Sequence, residues 1–194
     1  VIGSSNGSLY KSTNGGTSFI KGSITGGAFA GGSIRSITFD GVYVALVNYP
    51  QGGVLTSAFY TSTDGLTWTK ETNFVYKGLY NIHLFEGSGS LIKGYACGKD
   101  GLLLYTENSG DSWRQVSSRV TGLYKDIYFF SATTGLAIIE KDNTRGLYKT
   151  TNAGLDWDPL SATGEFYTSL YKGKECLAVG KNGIIQKISF DPLS

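Results

Sequence analysis

Four short segments of this chain repeat one arrangement of side chains at a spacing of about 44 residues. Each segment begins with a hydroxyl residue, has Asn or Asp two positions later, continues through a glycine and closes on Trp or Phe. The central Asn or Asp residues stand at positions 14, 64, 108 and 152, so the intervals are 50, 44 and 44 residues. A repeat of this length is typical of folds built from similar supersecondary units packed side by side.

The chemistry of each segment predicts a tight turn. A short Asn or Asp side chain can accept hydrogen bonds from backbone N–H groups of its own turn. The glycine permits a positive φ, and the closing aromatic ring buries a large apolar area at the start of the next strand. We therefore predict that these residues have a structural role. They are Ser12, Asn14, Gly16 and Phe19; Ser62, Asp64, Gly65 and Trp68; Thr106, Asn108, Gly110 and Trp113; and Thr150, Asn152, Gly154 and Trp157.

The residues between the turns predict four short strands, A to D, in each full unit, with the repeated turn between C and D. Four strands in about 44 residues are the dimensions of a β-propeller blade. We therefore expect an all-β fold, a small β-propeller of about five four-stranded antiparallel blades. The single domain, 1–194, divides into repeat units at 1–32, 33–77, 78–121, 122–163 and 164–194.

The two outer units are incomplete, because the first lacks strand A and the last lacks strand D. Either the two termini share a closing blade, or the chain is part of a larger propeller. The chain starts at Val1 and contains no Met, so we expect a processed or excised segment.

Composition excludes several classes of protein. A net charge of +2 gives no reason to expect a nucleic-acid partner, and no apolar run is long enough to insert into a membrane. Cys97 and Cys176 are expected to be buried free thiols. His83 has no partner at ligand spacing, which favours a structural histidine. We expect no metal site and no cofactor.

The repeated segments resemble Asp-boxes, also called BNR repeats, which occur in sialidases and in many non-enzymatic propellers. The lead-in Val179-Gly180-Lys181-Asn182-Gly183 is similar to the propellers of the photosystem II assembly-factor family. The resemblance covers nearly the whole chain and implies a propeller, but one fold hosts many unrelated functions. It also implies that the C–D turns lie away from the ligand. The binding face is then formed by the D–A loops, the B–C loops and the strand A ends near the axis. The D–A loops are expected at about 20–34, 70–78, 115–122 and 159–165, with an enlarged B–C loop at 48–53 in the second unit and a charged one at 140–145 in the fourth.

Residues of strand A recur at equivalent places on that face. Aligning Ile37, Ile82, Ile127 and Leu170 places Ser36, Asn81, Asp126 and Ser169 at one position, and Arg35, Tyr80, Lys125 and Thr168 at the position before it. Tyr and Arg anchor many binding surfaces. The candidate ligand contacts are therefore Arg35, Tyr49, Tyr80, Tyr124, Lys125 and Tyr167. The alternative, that these are solvated residues at loop edges or packing between blades, stays open.

Catalysis is not expected, and no catalytic residue is predicted. Sialidase chemistry requires three convergent arginines, a Tyr nucleophile with a Glu, and an Asp acid/base. The four arginines, Arg35, Arg114, Arg119 and Arg145, do not recur at equivalent positions, and the Arg-Ile-Pro motif is absent. A pair of carboxylates, Asp126 with Glu165 or Glu140, stays open, although nothing in the spacing favours it.

We expect a non-catalytic binding module. The favoured partner is a glycan or a surface protein bound by the loop face, as in an adhesin at an extracellular, periplasmic or virion surface. The first alternative is a protein-docking scaffold or assembly factor, which a contiguous Arg/Lys patch across blades would favour. The second is a remnant of a sialidase-like glycosidase.

Overall fold

The structure is a computed structural model, and it describes residues 1–71, 76–85, 92–160, 165–172 and 175–189. Its regular structure is β-strand, apart from short 3-10 turns at Lys99–Gly101 and Lys181–Gly183. Five sheets follow one another along the chain, and in four of them strands adjacent in sequence are adjacent in the sheet. The expected all-β fold of about five antiparallel blades is confirmed.

Three of the five blades are complete. In chain order, the strands are β1 (Ile2–Gly3), β2 (Leu9–Lys11) and β3 (Ile20–Lys21) in blade 1; β4 (Ser23–Thr25), β5 (Ser33–Asp40), β6 (Val42–Gln51), β7 (Val54–Ser62), β8 (Thr67–Lys70) and β9 (Tyr76–Lys77) in blade 2; β10 (Leu79–Phe85), β11 (Lys93–Gly98), β12 (Leu103–Thr106) and β13 (Arg114–Val116) in blade 3; β14 (Leu123–Phe129), β15 (Gly135–Lys141), β16 (Thr144–Thr150) and β17 (Asp158–Pro159) in blade 4; and β18 (Phe166–Lys172), β19 (Glu175–Gly180) and β20 (Ile185–Ser189) in blade 5.

Blade 2 has two strands that the sequence pattern did not predict. β4 pairs in parallel with β8, and β9 pairs antiparallel with β7, both within segments expected to be D–A loops. Residues 48–51, expected to belong to an enlarged B–C loop, are instead the end of β6, which pairs with β7 up to Gln51 and Val54. The connection is a two-residue turn at Gly52 and Gly53, both with positive φ.

The repeated turns share one hydrogen-bond pattern. The Oδ1 atoms of Asn14, Asn108 and Asn152 each accept from a backbone N–H four residues later, at 2.9–3.0 Å. In the shorter second copy, Asp64 accepts from the N–H groups of Leu66 and Thr67, both at 2.7 Å. These backbone donors hold the pKa of Asp64 well below its ordinary value. The hydroxyl of the first residue in each turn accepts from the backbone N–H of its glycine at 2.8–3.1 Å.

The core lies between the blades, and the same positions form it each time. We call the side of a blade that faces the next blade its forward face, and the opposite side its rear face. The strand registers and the buried clusters assign three equivalent residues to each. The forward faces carry Val44, Leu46 and Phe59; Tyr95, Cys97 and Leu103; and Leu136, Ile138 and Leu147. The rear faces carry Ala45, Tyr60 and Trp68; Ala96, Leu104 and Trp113; and Ala137, Tyr148 and Trp157.

The closing aromatic residue of each repeated turn belongs to the rear face. Trp68, Trp113 and Trp157 are buried against the preceding blade, as expected. Phe19 is 44% exposed, so the prediction that it buries a large area is wrong in this structure. The reason is geometric, because the structure describes no blade in front of blade 1.

The five blades form an open arc. Within the residues described, no strand of blade 5 pairs with a strand of blade 1, so the alternative of a shared closing blade is not realised there. Both cysteines are buried and neither is in a disulfide, as predicted, and burial raises the pKa of Cys97. The described part of the chain holds no helix that is long and apolar enough to cross a membrane.

Candidate functional site

Strand A of each of blades 2 to 5 contains a β-bulge at the same place. The register shifts lie between Ile34 and Ser36, Leu79 and Asn81, Tyr124 and Asp126, and Phe166 and Thr168. The extra residues are Arg35, Tyr80, Lys125 and Tyr167. A bulged residue leaves the ladder, and its side chain is re-aimed. Strand A begins at the end of the blade opposite the repeated turn, so the four bulge residues lie on the expected loop face.

The bulge corrects the predicted alignment of blade 5. Thr168 was aligned with Arg35, Tyr80 and Lys125, but the structure puts Tyr167 at that position. Phe166 pairs with Gly180 just as Leu79 pairs with Gly98. The blades are therefore correctly aligned on the bulge, and not on the apolar residue that follows it in strand A. In this register Thr168 corresponds to Asn81.

The bulge residues form a continuous row of contacts with one charged hairpin. Arg35 lies over the Tyr80 ring at 5.3 Å, and Lys125 lies over the same ring at 5.4 Å. Lys125 reaches Glu140 at 3.5 Å, and the Nε of Arg145 donates to Glu140 at 2.6 Å. Arg145 in turn lies over the Tyr167 ring at 5.0 Å. We call these residues the loop-face row: Arg35, Tyr80, Lys125, Glu140, Arg145 and Tyr167.

The loop-face row is cationic. It has three cations and one carboxylate, and the hydrogen bond from Arg145, with Lys125 beside it, holds the pKa of Glu140 below its ordinary value. Arg35 is exposed and forms no ion pair with any of the residues described. Next to the row is a shallow cavity of about 230 Å³, lined by Glu140, Asn143, Arg145, Glu165 and Tyr167. The row can therefore accept anionic groups and offers two aromatic rings for stacking.

A chain of hydrogen bonds lies directly behind the row. Ser36 Oγ donates to Asn81 Oδ1 at 3.0 Å, and Asn81 Nδ2 donates to Asp126. The other oxygen of Asp126 accepts from the N–H and Oγ of Ser169 at 2.9 and 2.8 Å. Burial raises the pKa of Asp126, and these donors oppose that shift. Both of its oxygens are occupied, so the geometry lends no support to Asp126 as half of a catalytic pair.

Two predicted contacts are buried and do not reach the loop face. Tyr124 is fully buried, its hydroxyl pairs with Ser118 Oγ at 2.7 Å, and its ring meets Trp157 edge-on. It precedes the bulge residue, so strand alternation turns it inward. Tyr49 is also buried, because it belongs to β6 and stacks on Phe29 at 4.2 Å.

The other four candidates, Arg35, Tyr80, Lys125 and Tyr167, are brought together. Two members of the row, Glu140 and Arg145, were not predicted as ligand contacts. They sit on the arms of the hairpin β15–β16 and pair with each other in register. The signal for them was the charged stretch from Glu140 to Arg145 in a predicted B–C loop.

His83 has the structural role that the sequence predicted. Its Nδ1 accepts from the N–H of Phe129 at 3.2 Å, and its ring packs on Tyr128 at 4.2 Å. Burial lowers the pKa of His83 to about 4. The described residues contain no cluster of three potential metal ligands.

His83 gives the fold a defined pH dependence. The folded state disfavours the imidazolium, so it binds fewer protons than the unfolded state between pH 6.5 and pH 4. We expect this residue to remove about 3 kcal/mol of stability as the pH falls through that window. Urea unfolding at pH 7, 5.5 and 4 measures the loss.

The comparison variant for this test is His83→Gln, which keeps a hydrogen-bond acceptor but does not titrate. Asp126 acts in the opposite direction, because a raised carboxyl pKa favours the folded state at low pH. The difference between wild type and variant therefore isolates His83. Parallel pH profiles for the two proteins would rule out this role.

Comparisons with known proteins identify relatives of the fold. No family model matches the chain. The photosystem II stability/assembly factor HCF136 of Arabidopsis thaliana, a chloroplast protein, is 29% identical over 106 residues, which are 50% of this chain and 24% of that protein. The chain thus spans about a quarter of that relative's length.

Solved structures share the architecture at low identity. The structure of YCF48 bound to D1 peptide matches with a TM-score of 0.65 and 16% identity, over 96% of this chain and 59% of that chain. YCF48 from Cyanidioschyzon merolae matches with a TM-score of 0.64 and 20% identity, over 95% and 64%. The computationally designed Ika4 protein matches with a TM-score of 0.56 and 11% identity, over 87% and 96%. The chain spans less than two thirds of either YCF48 chain, and these likenesses show a shared propeller fold.

Proposed function

We propose that this protein is a docking module for an extended protein segment that binds along the loop-face row. One observation carries the proposal: the row is continuous across four blades and presents three cations beside two tyrosine rings. Arg and Lys side chains bind carboxylates, and Arg does so through a planar fork of donors. The Tyr rings stack on apolar or aromatic side chains of the same segment.

The comparisons favour docking over the glycan interpretation. The relative is named as an assembly factor, and one YCF48 structure is described as bound to a peptide. A protein-docking scaffold was the first alternative from sequence, and a contiguous basic patch was its criterion. Arg35 and Lys125 meet on one ring, and Arg145 extends the patch to blade 5.

Three further points belong to the same proposal. The module is non-catalytic, and its repeated turns are Asp-boxes that act as structural clips. Its location is outside the cytosol, a proposal that the chloroplast relative supports. A virion or extracellular location has no such support.

The proposal is tested by binding to an array of short peptides graded by Asp and Glu content, with the D1 peptide included. We expect affinity to rise with acidic content and to weaken with ionic strength, because the charged groups of the row are at least partly exposed to solvent. A glycan array is screened in parallel. Selective glycan binding with no peptide binding would overturn the proposal in favour of the glycan interpretation.

Tyr80→Ala should weaken peptide binding about tenfold and leave folding nearly intact. The ring of Tyr80 holds both Arg35 and Lys125, so its loss disorders two cations at once. The measurements are fluorescence polarisation with a labelled acidic peptide from the array, and thermal melting.

Arg114→Ala is the matched control for Tyr80→Ala. Arg114 also lies over a tyrosine ring, that of Tyr105 at 4.7 Å, but at the end of blade 3 that carries the repeated turn. We expect Arg114→Ala to bind like wild type. Equal losses in the two variants would show that binding is not specific to the row and would contradict a site there.

A further inference from the structure

A chain of polar side chains joins strand A of four blades directly behind the loop-face row. Strands β5, β10, β14 and β18 belong to four different sheets, and no backbone ladder joins them in the part of the protein that the structure describes. Side chains make the connection instead. We call them the hydrogen-bond chain, and each directly follows a bulge residue in sequence: Ser36, Asn81, Asp126 and Thr168. A shift of one member relative to the next therefore moves two bulge residues relative to each other.

Two backbone N–H groups fix the direction of the bonds in the hydrogen-bond chain. The Ile82 N–H donates to Asn81 Oδ1, and the Ser169 N–H donates to one oxygen of Asp126 at 2.9 Å. Both side chains must therefore present an oxygen to the backbone, and an N–H is needed between them. Asn81 Nδ2 supplies it by donating to the other oxygen of Asp126. One amide and one carboxylate satisfy this arrangement, whereas two amides or two carboxylates do not.

The bonds of the hydrogen-bond chain converge on Asp126. This residue is 8% exposed, and it also accepts from Ser169 Oγ at 2.8 Å and from Thr168 Oγ1 at 3.3 Å. Leaving a buried acceptor without its donors is costly. The Asp126 carboxylate therefore holds the strands on both of its sides at hydrogen-bond distance.

The contacts within the loop-face row tolerate little movement of these strands. The Arg35 and Lys125 cations lie 5.3 and 5.4 Å from the centre of the Tyr80 ring. A cation is attracted to a ring only within about 6 Å of its centre, so a displacement of about 1 Å ends these contacts. Tyr80 precedes Asn81 and Lys125 precedes Asp126, so the bond between Asn81 and Asp126 sets this separation.

Two other bonds link the same strands at a greater distance from the row. The Leu84 N–H donates to Thr38 Oγ1 and the Phe129 N–H donates to His83 Nδ1, both at 3.2 Å. Thr38 and His83 lie two residues further along strand A than the members of the hydrogen-bond chain. The blades should therefore stay assembled when the hydrogen-bond chain is broken, so its effect on the row can be measured in folded protein.

We propose that Asp126 is a positioning residue of the loop-face row. Through Asn81 on one side and Thr168 on the other, its carboxylate fixes the bulge residues of neighbouring blades relative to each other, so that they contact one docked segment together. The carboxylate lies behind the row and does not contact the segment itself. This inference rests on the proposed docking function, because its effect is measured as binding to the row.

Asp126→Asn distinguishes positioning from a simple effect of charge. The substitution places a second amide opposite Asn81 Nδ2, so a donor meets a donor and one bond of the hydrogen-bond chain is lost. It also removes a negative charge behind a cationic row, which by electrostatics alone would tighten the binding of an acidic segment. We expect the opposite result, an affinity about tenfold weaker for a labelled acidic peptide in fluorescence polarisation. Unchanged or tighter binding by the folded variant would overturn the positioning role.

An exchange of the two side chains tests whether the hydrogen bond itself is responsible. Asn81→Asp alone sets two carboxylates against each other and should also weaken binding. Asn81→Asp combined with Asp126→Asn restores one amide and one carboxylate, at the net charge of the wild type. We expect the affinity of this double variant to return to within about threefold of the wild-type value. A folded double variant that binds as weakly as the single variants would contradict the inference.

Thr150→Val is the matched control for a general loss of stability. Thr150 is buried in the same blade as Asp126, but it belongs to the repeated turn at the opposite end, where its Oγ1 accepts from the Gly154 N–H at 3.0 Å. This variant loses hydrogen bonds without touching the hydrogen-bond chain. We expect it to melt at a lower temperature and to bind the peptide like wild type. Equal losses of affinity in Thr150→Val and Asp126→Asn would show a merely structural role for Asp126.

Ser36→Ala keeps the test decisive if circular dichroism shows that a single variant at position 81 or 126 does not fold. It removes only the bond from Ser36 Oγ to Asn81 Oδ1, so the strand that carries Arg35 is released. We expect about a threefold loss of affinity, and unchanged binding would overturn the proposal. A wild-type protein that binds no peptide of the array would overturn the docking function itself, and this inference with it. Wild-type binding with unaffected variants would overturn the positioning role alone.

Discussion

Replacing Trp113 with alanine should lower the free energy of unfolding by about 3–5 kcal/mol. The indole is 6% exposed and stacks on Phe59 of the preceding blade at 4.9 Å. Trp68 and Trp157 donate their Nε1 to a glycine carbonyl of their own turns, whereas the Nε1 of Trp113 has no partner among the described residues. The decrease in the free energy of unfolding of Trp113→Ala therefore measures apolar packing between blades 2 and 3, because the substitution removes no hydrogen bond of the indole.

Phe19→Ala is the matched control, because Phe19 closes the first repeated turn but is 44% exposed. We expect it to cost less than about 1 kcal/mol. Urea unfolding followed by circular dichroism measures both variants. A Trp113→Ala protein that melts within a degree of wild type would contradict the assignment of these turns to the interfaces between blades.

Gly101→Ala should destabilise the fold by about 3 kcal/mol. Gly101 has φ 71°, which disfavours any L-residue with a side chain. The new Cβ would also lie 1.9 Å from Val120 O, so blade 4 would have to shift away from blade 3. The strain and the overpacking should add, because the close atom belongs to backbone that cannot rotate aside.

Gly183→Ala separates these two costs. Gly183 has φ 74° and occupies the equivalent turn of blade 5, where no atom lies within 4 Å of the new Cβ. We expect a loss of about 1 kcal/mol from backbone strain alone. Urea unfolding of both variants measures these losses. Equal losses for the two glycines would show that the close approach of blade 4 contributes nothing.

The fold was predictable because its signals are local and repeat. The side chains of Thr106 and Asn108 make their hydrogen bonds within their own turn, so its geometry follows from a few consecutive residues. Exposure was less predictable, because it depends on which blade stands opposite. Phe19 has the pattern of a buried residue, and only the position of blade 1 in the arc leaves it uncovered.

Only part of the candidate site could be predicted, because the rest depends on contacts between strands and between blades. Arg35, Tyr80, Lys125 and Tyr167 were chosen as aromatic and basic residues near the start of strand A. Alternation of period two puts Tyr124 and Lys125 on opposite sides of strand A, but it does not say which side faces the partner, because the bulge at Lys125 depends on pairing with β15. Glu140 and Arg145 were missed as contacts because their partners lie on strand A and on the next blade.

In the proposed docking module, the bulge in each strand A separates the residues that contact the partner from the residues that maintain the fold. The residues on either side of the bulge are constrained by the rest of the fold: Leu79 by the core, and Asn81 by its hydrogen bond to Asp126. Neither constraint applies to the bulge residue. Positions 35, 80, 125 and 167 are therefore variable positions, one in each blade, whose residues can be replaced without changing the fold. Randomising these four positions should yield proteins with the same fold and a different binding specificity. The five blades could then serve as a scaffold for selecting new binders.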